Sequence, residues 1–192
     1  MRAEDADREA AQLWDEIPAF QKERAEDPPR TRYRFVLPND GDAFPPLVEY
    51  FQEVAKGVGL TDEMDLLRLG AALTEALSNS LYHGNLEVSS DLRATDAQQY
   101  FDLAQQRARE APYRNRRLVL EAEAGPERIV LVVRDEGPGF DPTSLPDPTA
   151  PENLLSNSGR GVFLMRNFVD IVSYNERGNE VTLVKNVASA GA

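Results

Sequence analysis

Apolar residues recur along this chain at two periods, and each period assigns a type of element. Leu47, Phe51, Val54, Ala55 and Val58 recur at helical spacing, with Pro45 and Pro46 in the first turn and Gly57 and Gly59 at the end. Asp42 is the expected cap of that helix. A second helix is opened by Thr61, carries Asp62 and Glu63 in its first turn, and shows one stripe of Leu66, Leu69, Leu73 and Leu77. A third helix lies within residues 87–115. Thr95 and Gln98 there read as a capping box, Ala97, Tyr100, Phe101, Ala104 and Ala108 share a face, and Pro112 stops it. A fourth begins near Gly161. Residues 32–37 read as a first strand, residues 117–124 and 128–134 as a pair around Gly125-Pro126, and residues 171–174 and 180–185 as a pair around Gly178-Asn179. A polar, proline-rich loop fills residues 141–158.

Strands broken up by helices, with hairpins towards the C-terminal end, predict an α+β fold. The expected architecture is a two-layer sandwich: a mixed, mostly antiparallel sheet with helices on one face. Residues 1–30 differ from the rest. They are crowded with Asp, Glu, Arg and Ala, leave room for a short helix over 10–20, and end at Asp27-Pro28-Pro29. They read as an acidic leader or linker. Residues 31–192 read as one domain with a helical insertion at 87–115.

Charge and composition then remove whole classes of function. With 33 acidic against 21 basic residues the net charge is −12, which repels nucleic acid and acidic membranes alike. The absence of cysteine excludes disulfides, thiolate metal sites and cysteine nucleophiles, and the single histidine, His83, excludes multi-histidine metal centres. No apolar run reaches the length of a membrane span, so a cytoplasmic location is expected.

Three polar motifs stand out against the periodic background. The first is Glu75-Ala76-Leu77-Ser78-Asn79, followed by His83-Gly84-Asn85. Glu75 and Asn79 are four residues apart and share a helix face opposite the leucine stripe. An amide oxygen is a neutral hard ligand suited to Mg²⁺, and a carboxylate one turn earlier can align a nucleophile or accept its proton. On their own, a Glu and an Asn at this spacing are ordinary helix-surface residues.

The second motif follows the apolar strand at 129–133: Asp135-Glu136-Gly137-Pro138-Gly139. A carboxylate at a strand end can accept from the exocyclic amino group of adenine but not from the carbonyl of guanine. Gly137 and Gly139 let backbone approach a flat ligand. The third motif is Gly159-Arg160-Gly161, opening a helix whose N-terminal amides suit phosphate. Neither glycine pair makes a Rossmann fingerprint, and no P-loop is present.

Taken together and in this order, the three motifs resemble the Bergerat-fold ATP-binding domain of the GHKL superfamily over about residues 31–186. Glu75 and Asn79 resemble its N box, Asp135 to Gly139 its first glycine box, and Gly159-Arg160-Gly161 its second. The Asn79-x-x-x-His83-Gly84 form and the run Gly161-Val162-Phe163-Leu164-Met165 look most like the anti-sigma regulatory factor serine/threonine kinases.

That resemblance implies ATP and Mg²⁺ as cofactors. It implies Glu75 as catalytic carboxylate, Asn79 as metal ligand, Asp135 as adenine acceptor, and Gly137, Gly139, Gly159, Arg160 and Gly161 around the nucleotide. His83 either touches the triphosphate or caps the helix end. The implied activity is a switch, in which the protein binds a sigma factor in one state and uses ATP to phosphorylate a serine or threonine on a STAS-domain antagonist. The implied assembly is a homodimer, for which the strand at 32–37 would offer an uncovered edge. Two other readings use the same cradle: a nucleotide-responsive binding module without phosphotransfer, and a detached histidine-kinase-type catalytic domain.

Overall fold

The protein was analysed as a computed structural model, which describes residues 19–26, 29–144 and 160–187. Six strands form one sheet: β1 (Ala19–Glu26), β2 (Pro29–Leu37), β3 (Leu118–Ala124), β4 (Arg128–Arg134), β5 (Ile171–Tyr174) and β6 (Glu180–Asn186). Their order is β1-β2-β3-β4-β6-β5, and every pairing is antiparallel. The sheet expected to be mixed therefore has no parallel pair among its described strands. Helices α1 (Phe44–Gly57), α2 (Glu63–Asn79) and α5 (Arg160–Phe168) cover one face, with α2 between the other two.

Strict alternation selects that face. In β3, Leu118, Leu120, Ala122 and Ala124 are buried, while Val119, Glu121 and Glu123 point to the open side. Phe35 and Tyr33 of β2 meet Tyr50 and Phe51 of α1 edge-on, with ring centres 5.7–6.1 Å apart. The open face is instead closed by ion pairs across the strands: Arg30 and Arg32 with Glu123, Arg34 with Glu121, and Arg134 with Glu180. Such partly exposed pairs contribute little each and chiefly fix register.

The acidic leader needs correction over its last residues. Ala19–Glu26 is a strand of the sheet, paired with β2 along its length, with Glu23 opposite Arg32 and Gln21 opposite Arg34. Residues 32–37 are therefore an interior strand and offer no free edge; the edge strands are β1 and β5. The short helix expected over 10–20 lies almost wholly outside the described residues.

The insertion also differs from expectation. It holds two helices, α3 (Ser90–Thr95) and α4 (Ala97–Arg109), followed by a short turn at Tyr113–Asn115. Thr95 is no cap: its hydroxyl bonds back to the carbonyls of Asp91 and Leu92, and Asp96 caps α4 by accepting from the Gln99 amide. Two other caps also differ from expectation. Asp62, not Thr61, caps α2 by accepting from the Asp65 amide, and Asp40, not Asp42, caps the single turn that leads into α1.

α2 does not stop at Asn79. It runs on through a π-helical turn, Ser80–Asn85, closed by the Leu86 amide donating to the Leu81 carbonyl at 2.9 Å. Glu87 then takes φ of 53°, and the chain turns into the insertion. The loop expected at 141–158 lies outside the described residues beyond Ser144. No helix among the described residues is long and apolar enough to cross a membrane.

Candidate functional site

The C-terminal end of α2, the π turn, the end of β4, the start of α5 and the β5–β6 turn enclose a cavity of about 310 Å³. Asn79, His83, Asp135, Gly139 and Gly161 all line it, so one site collects residues from all three motifs. Glu75 stands at its edge. A side chain built on Gly161 would place Cβ 2.5 Å from Glu75 Oε2 and 3.2 Å from Asn79 Nδ2. A glycine at this point of α5 lets the helix start close against the carboxylate and the amide. Gly137 is absent from the lining and packs instead on the Gly84 carbonyl behind the cavity. Gly159 and the side chain of Arg160 lie outside the described residues.

Asp135 is the electrostatic centre of the site. It follows an apolar strand into the interior and is only 6% exposed. Burial pushes its carboxyl up to about 6. The Gly137 amide, which donates to Oδ1 at 2.9 Å, the charges of Arg116 and Arg177, and the Ser80 hydroxyl all act in the opposite direction. Gly84 is the only residue type its position allows, because any Cβ would run into the Asp135 carboxylate.

A polar brace holds this carboxylate in place. Asn179, itself buried, donates from Nδ2 to the Asp135 carbonyl at 2.8 Å, while the Asp135 amide donates to the Asn179 carbonyl at 3.0 Å. Asn175 locks Asn179 in turn through its own side-chain amide and carbonyl. Arg177 donates to the Gly137 carbonyl, and the Phe140 amide donates to the Arg177 carbonyl. Gly139 (φ 78°) and Gly178 (φ 73°) let these two loops cross backbone to backbone.

From the opposite side, fully buried Asn85 joins the first motif to the second. Its Oδ1 accepts from the Glu136 amide at 2.8 Å, and its Nδ2 donates to Asn39. The insertion and the residue that follows it, Arg116, clamp the same segment. Arg107 donates to the carbonyls of Leu86 and Glu87, and Arg116 donates to that of Asn85 while pairing with Glu87. Both guanidiniums lie 5.1 Å from the centre of the Tyr113 ring.

His83 lines the cavity and also secures the turn after it. Its Nδ1 lies 2.6 Å from the Val88 carbonyl, which can only accept, so Nδ1 carries the proton. A neutral His83 then offers a lone pair at Nε2, and only its imidazolium form can donate to a phosphate oxygen.

Ser80, Asn85, Ser90, Phe140, Tyr174, Arg177 and Asn179 build or brace the site and were not expected from the sequence. Ser90 brings the start of the insertion to the cavity wall. Phe140 and Tyr174 meet edge-on at 5.2 Å, and burial pushes the Tyr174 hydroxyl up to about 12. Position in the Gly137–Phe140 loop was a usable signal for Phe140; the others become legible only when distant loops meet.

Among the described residues no cluster of three or more His, Cys, Asp or Glu could hold a metal alone. The site thus offers one buried acceptor, one carboxylate–amide pair and a helix start. That set suits a flat base with an amino group and a polyphosphate that brings most of its own metal ligands. No curated protein matches the chain. The family model of the histidine kinase-like ATPase domain matches residues 37–185, which run from the end of β2 almost to the end of β6 and take in every element around the cavity. A match over most of the chain, on a fold and a cavity of the kind it requires, places this protein in the histidine kinase-like ATPase domain family.

Proposed function

We propose that this ATPase-type domain is a regulatory protein serine/threonine kinase of the anti-sigma-factor type, which uses Mg·ATP to phosphorylate a STAS-type antagonist. The observation that carries the reading is the placement of Glu75 and Asn79 together against Gly161, with Asn79 and Gly161 lining the same cavity as buried Asp135. A base held at Asp135 directs the phosphates of a nucleotide towards the α5 start, where the amide and the carboxylate converge.

In this reading Asp135 accepts from the adenine amino group. Asn79 holds Mg²⁺, the α5 amides and Gly161 bound the phosphates, and Glu75 orients the attacking hydroxyl and takes its proton. Bound Mg²⁺ supplies neutralisation of phosphate charge. Glu75 suits the proton-accepting role because its carboxylate lies beside Gly161 at the start of α5. Incubating the protein with labelled ATP and candidate STAS domains tests the proposal: label should appear on a serine or threonine of the STAS domain and vanish with Asn79→Ala. Nucleotide binding without any transfer would instead support a binding module.

A further inference from the structure

A second cleft, of about 970 Å³, lies between α1, the end of α2 and α4 of the insertion. Its walls carry Phe44, Val48, Leu81, Tyr82, Phe101 and Ala104. Phe101 is 45% exposed although its ring already meets Tyr82 edge-on, so a large apolar side chain stands at the mouth with one side uncovered. Around the mouth stand Asp40, Asp42 and Glu49, all exposed, while Arg109 is the one cation of the lining among the described residues.

Charge and backbone chemistry together select an occupant. Residues 1–18 of this chain contain six acidic and two basic residues, and a second copy carries a net charge of −12, so the acidic mouth repels both. Among the described residues every regular element in the walls is a helix, and neither edge strand of the sheet lies there to pair with an extended segment. An occupant must therefore satisfy its own backbone groups, as a helix does.

We propose that this cleft docks an amphipathic helix of a partner protein, with its apolar face on Phe101, Tyr82 and Val48 and its Lys/Arg flanks against Asp40, Asp42 and Glu49. The site is independent of the cavity around Asp135 and does not rest on phosphotransfer. It shares one wall with that cavity: Leu81 and Tyr82 face the cleft, while Ser80 and His83 face the nucleotide side.

The test uses the full chain and a labelled synthetic helix of about 15 residues with a Leu/Phe face and Lys/Arg flanks, beside the same peptide with Glu flanks. The basic peptide should bind with Kd below roughly 100 µM and the acidic one should not. Phe101→Asp should weaken binding at least about tenfold even though it adds a negative charge, which separates apolar docking from general attraction of a basic peptide. Asp42→Lys with Glu49→Lys should weaken it comparably. Phe101, Asp42 and Glu49 are all exposed, so circular dichroism should be unchanged in these variants. The proposal is overturned by absence of binding, by equal binding of both peptides, or by binding unmoved in both variants. It is also overturned if light scattering shows a dimer of the unmutated chain that Phe101→Asp dissolves, since the occupant is then a second copy.

Discussion

Asn179 and Asp135 hold each other through their backbones and one side chain: an amide-to-carbonyl bond in one direction and a side-chain amide to carbonyl bond in the other. Asn179→Ala leaves the Asp135 carbonyl buried without its side-chain donor, which should cost about 1–3 kcal/mol of stability. It should also lower the preference for ATP over GTP, although the carboxylate itself is untouched. Denaturant melts and competition binding check both effects. Unchanged stability and unchanged preference would remove Asn179 from the brace.

Asp135 is raised to about 6 in the folded protein, against an ordinary 3.8. Folding therefore favours its protonated form. The penalty is absent below pH 4 or so, grows as pH rises from about 4 to about 6, and stays complete above that, where it amounts to about 2–3 kcal/mol. Asp135→Asn keeps an acceptor for the Gly137 amide and carries no charge. It should melt higher than the unmutated protein at pH 8, and the gap should close as pH falls towards 4. The same variant should lose about tenfold or more in ATP affinity. Melting curves across this pH range, with and without nucleotide, read both.

Gly161→Ala sets a new methyl against the ends of Glu75 and Asn79, which can swing aside. Alanine also suits a helix better than glycine by about 0.5–1 kcal/mol, so stability should hold or rise. Mg·ATP binding should nevertheless fall at least about tenfold, because the displaced groups leave their positions. Gly139→Ala provides the contrast. Its φ of 78° and its approach to the Arg177 carbonyl leave nothing flexible to move, so fold and binding should fail together.

Glu75→Gln and Asn79→Ala should separate chemistry from binding. Glu75→Gln keeps shape and removes the proton acceptor, so nucleotide should bind normally while transfer drops by about a hundredfold or more. Asn79→Ala should lose Mg·ATP binding itself. Calorimetry beside a phosphotransfer assay distinguishes the two, and an equal loss of binding in both variants would give Glu75 a purely structural part.

The legible parts of the fold were those whose apolar pattern is unmixed. β4 was bounded as found because Ile129 to Val133 is uninterrupted, and β3 to within one residue because Leu118, Leu120, Ala122 and Ala124 alternate with polar or half-buried partners. β1 escaped because its own sequence carries Lys22, Glu23, Arg24 and Glu26, so it reads like the charged stretch before it. The caps shifted by one or two residues because Thr-Asp and Asp-Gly-Asp sequences offer two competent cappers, and geometry chooses between them. Within the site, Glu75, Asn79, His83 and Asp135 were legible as motif residues. Asn85, Asn179 and Arg177 were not, since each acts on a segment about 40 or more positions away, and nothing local marks such a bond.

The π turn at Ser80–Asn85 sets which side chains belong to which cavity. A π turn holds one residue more than an α-helical turn would, so the chain leaves α2 out of step by about 100° relative to a regular continuation. Deleting a single residue there would leave the Glu75/Asn79 pair and both glycine boxes recognisable in an alignment. It would nonetheless exchange inner and outer neighbours from Leu81 onwards, turning His83 away from the nucleotide side and Asn85 away from Glu136. Natural variation in this segment should therefore tolerate substitution far more readily than any change of length.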